Sequence, residues 1–376
     1  MNQTSDLPKI MRAVLLTGFG GIDKLEYRED VPVPTPRDGE VLIKVGACGM
    51  NNTDINTRTR WYGRDVNTSL SEDFGLTGAE NVNGADTKQQ KAWKDDSVDF
   101  PRIQGAAIAG TIVAVGTSSR DRKVGERVLV DPCIRDLSLP RRAQLSQYIG
   151  KDINGGFAEY AVVPAINAHV VETSLSDAEL ATFPTSYDTA EEMLVRARLS
   201  EGETVVITGA AGGVGSALIQ LSLIRGARVI AIAGQSKGER LLALGAHHFV
   251  ARESADVRGQ IEAIVGERAV HVVADVVGGE FFPDALKLLG RGGRFTTGGA
   301  IGGPIQPFDL RDLIYKDLEM YGITNPVPET FKSIVDYVAS GRLKPVLEKA
   351  YPLKDLPTAQ SDMVKRSHLG KLVITP

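Results

Sequence analysis

The sequence predicts an α/β protein of two domains, a β-rich unit and a doubly wound unit around a parallel sheet. Three observations carry this. The chain has 376 residues, more than one hydrophobic core ordinarily serves. Residues 11–60 and 100–165 hold short apolar runs, among them "AVLLTG", "EVLIKVGACG", "GTIVAVG", "ERVLVDP" and "FAEYAVV", punctuated by Gly, Pro and Asp. That texture belongs to a barrel-like all-β unit. From about residue 175 to about residue 300, β-rich apolar runs alternate with helical stretches, the rhythm of a parallel sheet covered on both faces.

The elements follow in order. "VGACGMNNTDIN" ends an apolar strand in a polar corner that holds Cys48, Asn51 and Asp54. Segment 63–99 is rich in Asn, Asp, Gly, Ser and Thr, with Phe74 and Trp93 as its large aromatics. It reads either as a solvated surface excursion or as a lid that brings Trp93 or Phe74 over a site. "SLSDAELATFP" opens on Ser and Asp before an apolar-periodic run, which predicts a helix start. "PETFKSIVDYVASGRLKP" predicts one more helix, and the chain closes on a strand in "HLGKLVITP". No internal repeat or low-complexity tract interrupts this order.

Composition excludes several classes. The net charge is −4, and Lys and Arg are dispersed rather than striped, so neither nucleic acid nor an anionic membrane is an expected partner. Hydrophobic content of 42% and charged content of 24% suit a soluble globular chain. No apolar run has the length to span a bilayer, and the N-terminus lacks a signal-peptide pattern. Cys48 and Cys133 are the only cysteines, too few for a disulfide scaffold. A soluble cytoplasmic protein is the expectation.

The strongest functional signal is "TVVITGAAGGVGSALIQLSLIRG". An apolar strand (Thr204–Thr208) enters a turn of small residues (Gly209–Gly215), and a helix starts directly after. Ala210, Gly212 and Gly215 occupy the three glycine positions of a dinucleotide fingerprint, with Gly213 and Val214 between. Small residues let the backbone approach a pyrophosphate, whose charge the free N–H groups of the helix start receive. At the end of the next strand, "VIAIAGQSKGER", an NAD site would place an acid. Ala233 stands there instead, followed by Ser236, Lys237 and Arg240. A neutral strand end with basic neighbours suits a 2′-phosphate, so NADPH is the expected cofactor. "ADVVGG" (Ala274–Gly279) and "GGRFTTGGAIGG" (Gly292–Gly303) end later strands at the same edge. Val276, Gly298 and Gly299 are therefore candidate contacts to ribose and nicotinamide, unless these loops are simple tight turns.

Taken in order, "DGEVLIKVGACGMNNTD", "FPRIQGAAIAGTIVAVG", "VGERVLVDP", "GGFAEYAVVP", "VVITGAAGGVGSALIQLS", "GGRFTTGG" and "HLGKLVI" resemble the medium-chain dehydrogenase/reductase superfamily over nearly the whole chain. The resemblance implies a GroES-like catalytic domain at 1–186 and 325–376. A Rossmann domain at 187–324 is inserted between, the site lies in the cleft, and homodimers or homotetramers form through the Rossmann domain. Zinc alcohol dehydrogenases of the superfamily carry Cys at the Asn51 position, Gly-His-Glu where this chain has Gly105-Ala106-Ala107, and a third ligand near Thr185. All three positions depart from that pattern. The first 168 residues also lack histidine, leaving His169, His247, His248, His271 and His368 scattered. A zinc site needs Cys, His or carboxylate donors in tetrahedral array, so no metal is expected.

The pattern is similar instead to the zinc-free quinone oxidoreductase and enoyl reductase branch, which places Asn at the Asn51 position and, in some members, Tyr at the Tyr62 position. That resemblance implies NADPH-dependent hydride transfer to a quinone or an α,β-unsaturated carbonyl compound. Asn51 would be a neutral donor to the developing oxyanion, and Tyr62 either the proton donor or an aromatic wall of the pocket. Asp54 would orient the corner, and Thr189, by resemblance alone, would hold the nicotinamide. Two alternatives stay open: an alcohol or aldehyde oxidoreductase on the same scaffold, and a non-catalytic NADPH-binding sensor or structural protein.

Overall fold

Alternating apolar runs in the first half become antiparallel sheet. The computed structural model describes residues 7–63, 66–78, 98–119, 121–136, 138–140 and 144–376. β1 (Ile10–Leu16) pairs with β2 (Leu25–Pro32) and, at its other edge, with β4 (Arg102–Ile103). β3 (Glu40–Gly49) is the spine of a second sheet and pairs antiparallel with β5 (Ala107–Val115) and β9 (Tyr160–Pro164). β6 (Arg127–Val130) and β10 (Ala168–Val170) extend this sheet, while β7 (Cys133–Arg135) and β8 (Leu145–Tyr148) form a separate ladder. Ile43, Ile108, Ile112 and Phe157 are fully buried between these layers.

The second half forms a six-stranded parallel sheet. Its strands are β11 (Thr204–Ile207), β12 (Arg228–Ala233), β13 (His248–Ala251), β14 (Val270–Asp275), β15 (Leu289–Thr297) and β16 (Glu319–Gly322), in the order β13-β12-β11-β14-β15-β16. Val205, Val206 and Ile207 are buried, as central strands covered on both faces require. α5 (Gly213–Ile224), α6 (Gly238–Ala243), α7 (Val257–Val265), α8 (Phe282–Leu288) and α9 (Leu310–Tyr315) supply the connections. Strand order reverses beside β11, and ligands of open α/β sheets bind at that switch point.

The remaining helices join the halves. They are α1 (Asn52–Arg58), α2 (Glu72–Thr77), α3 (Asp177–Leu180), α4 (Ser186–Arg196), α10 (Pro328–Ala339) and α11 (Leu356–Val364). α3 begins where its sequence predicts, with Ser176 capping the helix and Glu179 returning a bond to the Ser176 N–H. The last strands, β17 (Leu347–Pro352) and β18 (Lys371–Thr375), return to the first sheet, where β18 pairs antiparallel with β3. α10 does not return with them. Its Phe331, Ile334, Val335 and Val338 pack in the same core as α4, α5 and β11, because its apolar stripe faces α4. That core also takes in Ala47, Ala109 and Leu129 of the β-rich unit, so α10 lies where the two units meet. No helix among the described residues is long and apolar enough to cross a membrane.

The described part of segment 63–99 bridges the two halves. Leu70 N donates to Ile301 O at 2.8 Å. Phe74 packs with Ile55, Trp61, Tyr62 and Ile301 in a small apolar cluster. Trp93 lies outside the described residues. Arg58, fully buried, ties this region down: Nε bonds Gln360 Oε1 at 2.9 Å, and its two terminal nitrogens bond Gly20 O at 2.8 Å and Gly75 O at 2.6 Å. Removing the guanidinium strands these acceptors without water. Arg58→Ala is expected to cost about 3 kcal/mol of stability, read as a lower midpoint in denaturant unfolding.

Candidate functional site

The corner after β3 is built by hydrogen bonds that its own residues make. Asp54 Oδ2 accepts Asn51 N at 2.8 Å and Oδ1 accepts Gly105 N at 3.3 Å, locking the first turn of α1 against the turn ahead of β5. Burial raises the Asp54 carboxyl to about 6, opposed by the Asn51 N–H and the Lys371 charge. The Asn51 amide is held from both sides. Its Nδ2 donates to Gly49 O at 3.1 Å, and its Oδ1 accepts from Lys371 Nζ and, at 3.5 Å, from Ser186 Oγ. Lys371 Nζ also donates to Ser186 Oγ at 3.1 Å. Cys48 is buried at the end of β3, and burial pushes its thiol far above the ordinary range. Thiolate ligation is disfavoured there. Among the described residues, no three His, Cys, Asp or Glu side chains gather where they could hold a metal ion.

Two tyrosines stand nearby. Tyr62 is half-buried and hydrogen-bonded by the side chains of Asn56 and Thr53, and burial pushes its hydroxyl up to about 12. Tyr148 OH lies 3.4 Å from Thr185 Oγ1. Thr185 caps α4 at φ 70°, a left-handed conformation that strains a β-branched residue. That kink puts Thr185 on Tyr148 while the next residue, Ser186, meets Asn51 and Lys371.

The nucleotide turn meets the same helix start. A Cβ on Gly215 would lie 2.2 Å from Gly209 O, and one on Gly213 would lie 2.6 Å from Lys371 Cδ and 2.7 Å from Ser186 Oγ. Ala210 is buried, with its N–H on Ile232 O at 3.1 Å, while Gly212 and Val214 remain partly open at the start of α5. Val276 packs on Gly209, Gly299 approaches Val276 O, and Gly298 lies against Thr189. Thr189 Oγ1 in turn bonds Thr185 O at 2.5 Å. The predicted phosphate and nicotinamide contacts thus converge on one edge, and this glycine cradle at a helix N-terminus fits a dinucleotide.

The basic residues after β12 behave unequally. Lys237 is half-buried and Ser236 exposed in the turn that follows the strand. Arg240 is already paired with Glu348 at 2.5 Å. The pair is half-exposed, at the surface of the turn after β12.

Sequence reading missed Lys371, Ser186, Tyr148 and Asp188. Asp188 is buried with Oδ1 unpartnered, and burial raises its carboxyl to about 7. The one visible signal was a lysine opening the apolar run "KLVI", unusual for a buried strand.

Comparison with known proteins agrees with this architecture. Residues 77–173 match the alcohol dehydrogenase GroES-like domain family, and residues 213–340 match the zinc-binding dehydrogenase family. The chain is 28% identical to human quinone oxidoreductase, over 97% of this chain and 98% of that protein. It is 25% identical to the chloroplastic NADPH-dependent alkenal/one oxidoreductase of Arabidopsis thaliana, over 100% of this chain and 83% of that one. A solved structure from Sinorhizobium meliloti 1021, assigned to the alcohol dehydrogenases, is 45% identical, with a TM-score of 0.88 and coverage of 99% of this chain and 98% of that one. The chain belongs to the medium-chain dehydrogenase/reductase superfamily and is an oxidoreductase.

Proposed function

We propose that the protein is an NADPH-dependent, zinc-independent oxidoreductase that transfers hydride to a quinone or an α,β-unsaturated carbonyl compound. The observation that supports this most is the hydrogen-bonded set Asn51, Ser186 and Lys371, which lies directly against Gly213 of the nucleotide turn. It offers neutral and cationic donors where metal enzymes of the superfamily offer thiolate and imidazole. The similarity to quinone and alkenal/one oxidoreductases points the same way.

Gly212, Gly213, Gly215, Val276, Gly298, Gly299 and Thr189 would hold NADPH, with Ser236 and Lys237 toward its 2′-phosphate, and the cofactor would supply the hydride. Asn51 donates its remaining amide N–H to the substrate carbonyl oxygen, where negative charge collects as the alkene is reduced. Tyr62, kept protonated by its burial, gives its proton to the neighbouring carbon and regains one from solvent. Asp54 holds the Asn51 backbone in place. Leu70 and Phe74 pack with Ile301 in an apolar cluster beside this corner.

NADH is a second reading. Arg240 is engaged by Glu348, and Glu253 Oε2 accepts Gln235 N at 3.0 Å, so a carboxylate also borders the cofactor's ribose end. We also propose a homodimer through β16, the edge of the parallel sheet, beside which Leu310, Ile314, Tyr315 and Met320 are exposed.

Three measurements check these proposals. NADPH oxidation with quinones and enones should proceed unchanged after chelation, and faster than with NADH; aldehyde turnover alone, or loss on chelation, would overturn the reading. Tyr62→Phe should lower kcat by about 100-fold, and an unchanged kcat would remove Tyr62 as the proton donor. Light scattering should give twice the 40.3 kDa chain mass, and Met320→Lys should shift the protein toward monomer.

A further inference from the structure

We propose that Lys371 is a positioning residue for Asn51: its ammonium fixes the orientation of the Asn51 amide and lends it positive charge, so that the amide N–H left over faces the substrate oxygen. This rests on the hydride-transfer reading above.

The geometry carries the assignment. Lys371 is buried, and its Nζ meets Asn51 Oδ1 and Ser186 Oγ. An ammonium has three donors and no acceptor, so only the oxygen end of the amide can face it. Nδ2 then points the other way, where one N–H is taken by Gly49 O and the second is left over. An amide that accepts a charged hydrogen bond at its oxygen becomes a stronger donor at its nitrogen. Lys371 reaches this place through pairing alone: Val373 opposes Gly49, and Met50 N donates to Leu372 O at 2.9 Å.

The charge is tunable. Burial lowers the Lys371 ammonium to about 8, and Asp54 from α1, Cys48 from β3 and Asp188 from α4 pull it upward. His368, just ahead of β18, also faces this charge, while α5 presents only Gly213 backbone. The lysine is therefore charged below about pH 8 and neutral above it, and Asn51 loses its polarising partner as pH rises through that value.

Lys371→Met and Lys371→Arg test this, with NADPH affinity read by cofactor fluorescence and turnover read as a function of pH. Wild-type kcat should decline above about pH 8. Lys371→Met should lose kcat by about 10- to 100-fold at pH 7, lose the alkaline decline, and keep its Kd for NADPH within about twofold. Lys371→Arg, which keeps the cation, should retain most of the activity and move the decline to higher pH. A Lys371→Met enzyme with a much weaker Kd and unchanged saturated kcat would overturn the proposal and make Lys371 a phosphate ligand. Unchanged kcat, Kd and pH profile would overturn it as well. Should Lys371→Met fail to fold, a wild-type kcat that stays flat through pH 8 to 9.5 overturns it, and a decline that Lys371→Arg displaces upholds it. A wild type that oxidises no NADPH with any acceptor sinks the functional reading itself. An active wild type with an unaltered variant sinks only the inference.

Discussion

The pairing of β18 with β3 is the contact on which the site depends. It brings residues more than 300 positions apart into one hydrogen-bonded corner. The same return places Gly370 N on Ala211 O at 2.8 Å, so the chain end touches the nucleotide turn one residue before it supplies Lys371. The start of one strand thus touches both the β-rich sheet and the nucleotide turn. Its first side chain, Lys371, is buried among Asn51, Ser186 and Gly213.

α4 is the second organiser. Its start offers Thr185 to Tyr148, Ser186 to Asn51 and Lys371, and Thr189 to the Gly298 loop. Three polar residues on one helical turn therefore connect the Asn51 corner, Tyr148 and the Gly298 loop. The strain at Thr185 is compensated by the packing behind it, where Phe183 and Tyr187 sit fully buried, edge to face, with centroids 4.8 Å apart. Rigid placement of this kind suits a site that works through fixed hydrogen-bond donors.

Three buried charged groups meet around this site. Asp54, Asp188 and Lys371 are all nearly inaccessible, and burial shifts each toward its neutral form. Burying such groups costs stability, and these three lie where the β-rich unit meets the parallel sheet. Exposed salt bridges, such as Arg28 with Asp30, contribute little.

Periodicity and glycine placement by themselves determined the two-part architecture, the parallel sheet, the nucleotide turn at Gly212–Gly215 and the absence of a thiolate at Asn51. These are local properties, written in contiguous residues whose strand, turn and helix preferences agree. Tertiary structure decided the rest. It paired Arg240 with Glu348, moved α10 onto α4, set Tyr148 on Thr185 and delivered Lys371 to Asn51. Each of these contacts joins side chains far apart in the chain, and no local preference encodes which partner a buried charge will meet once the strands have closed.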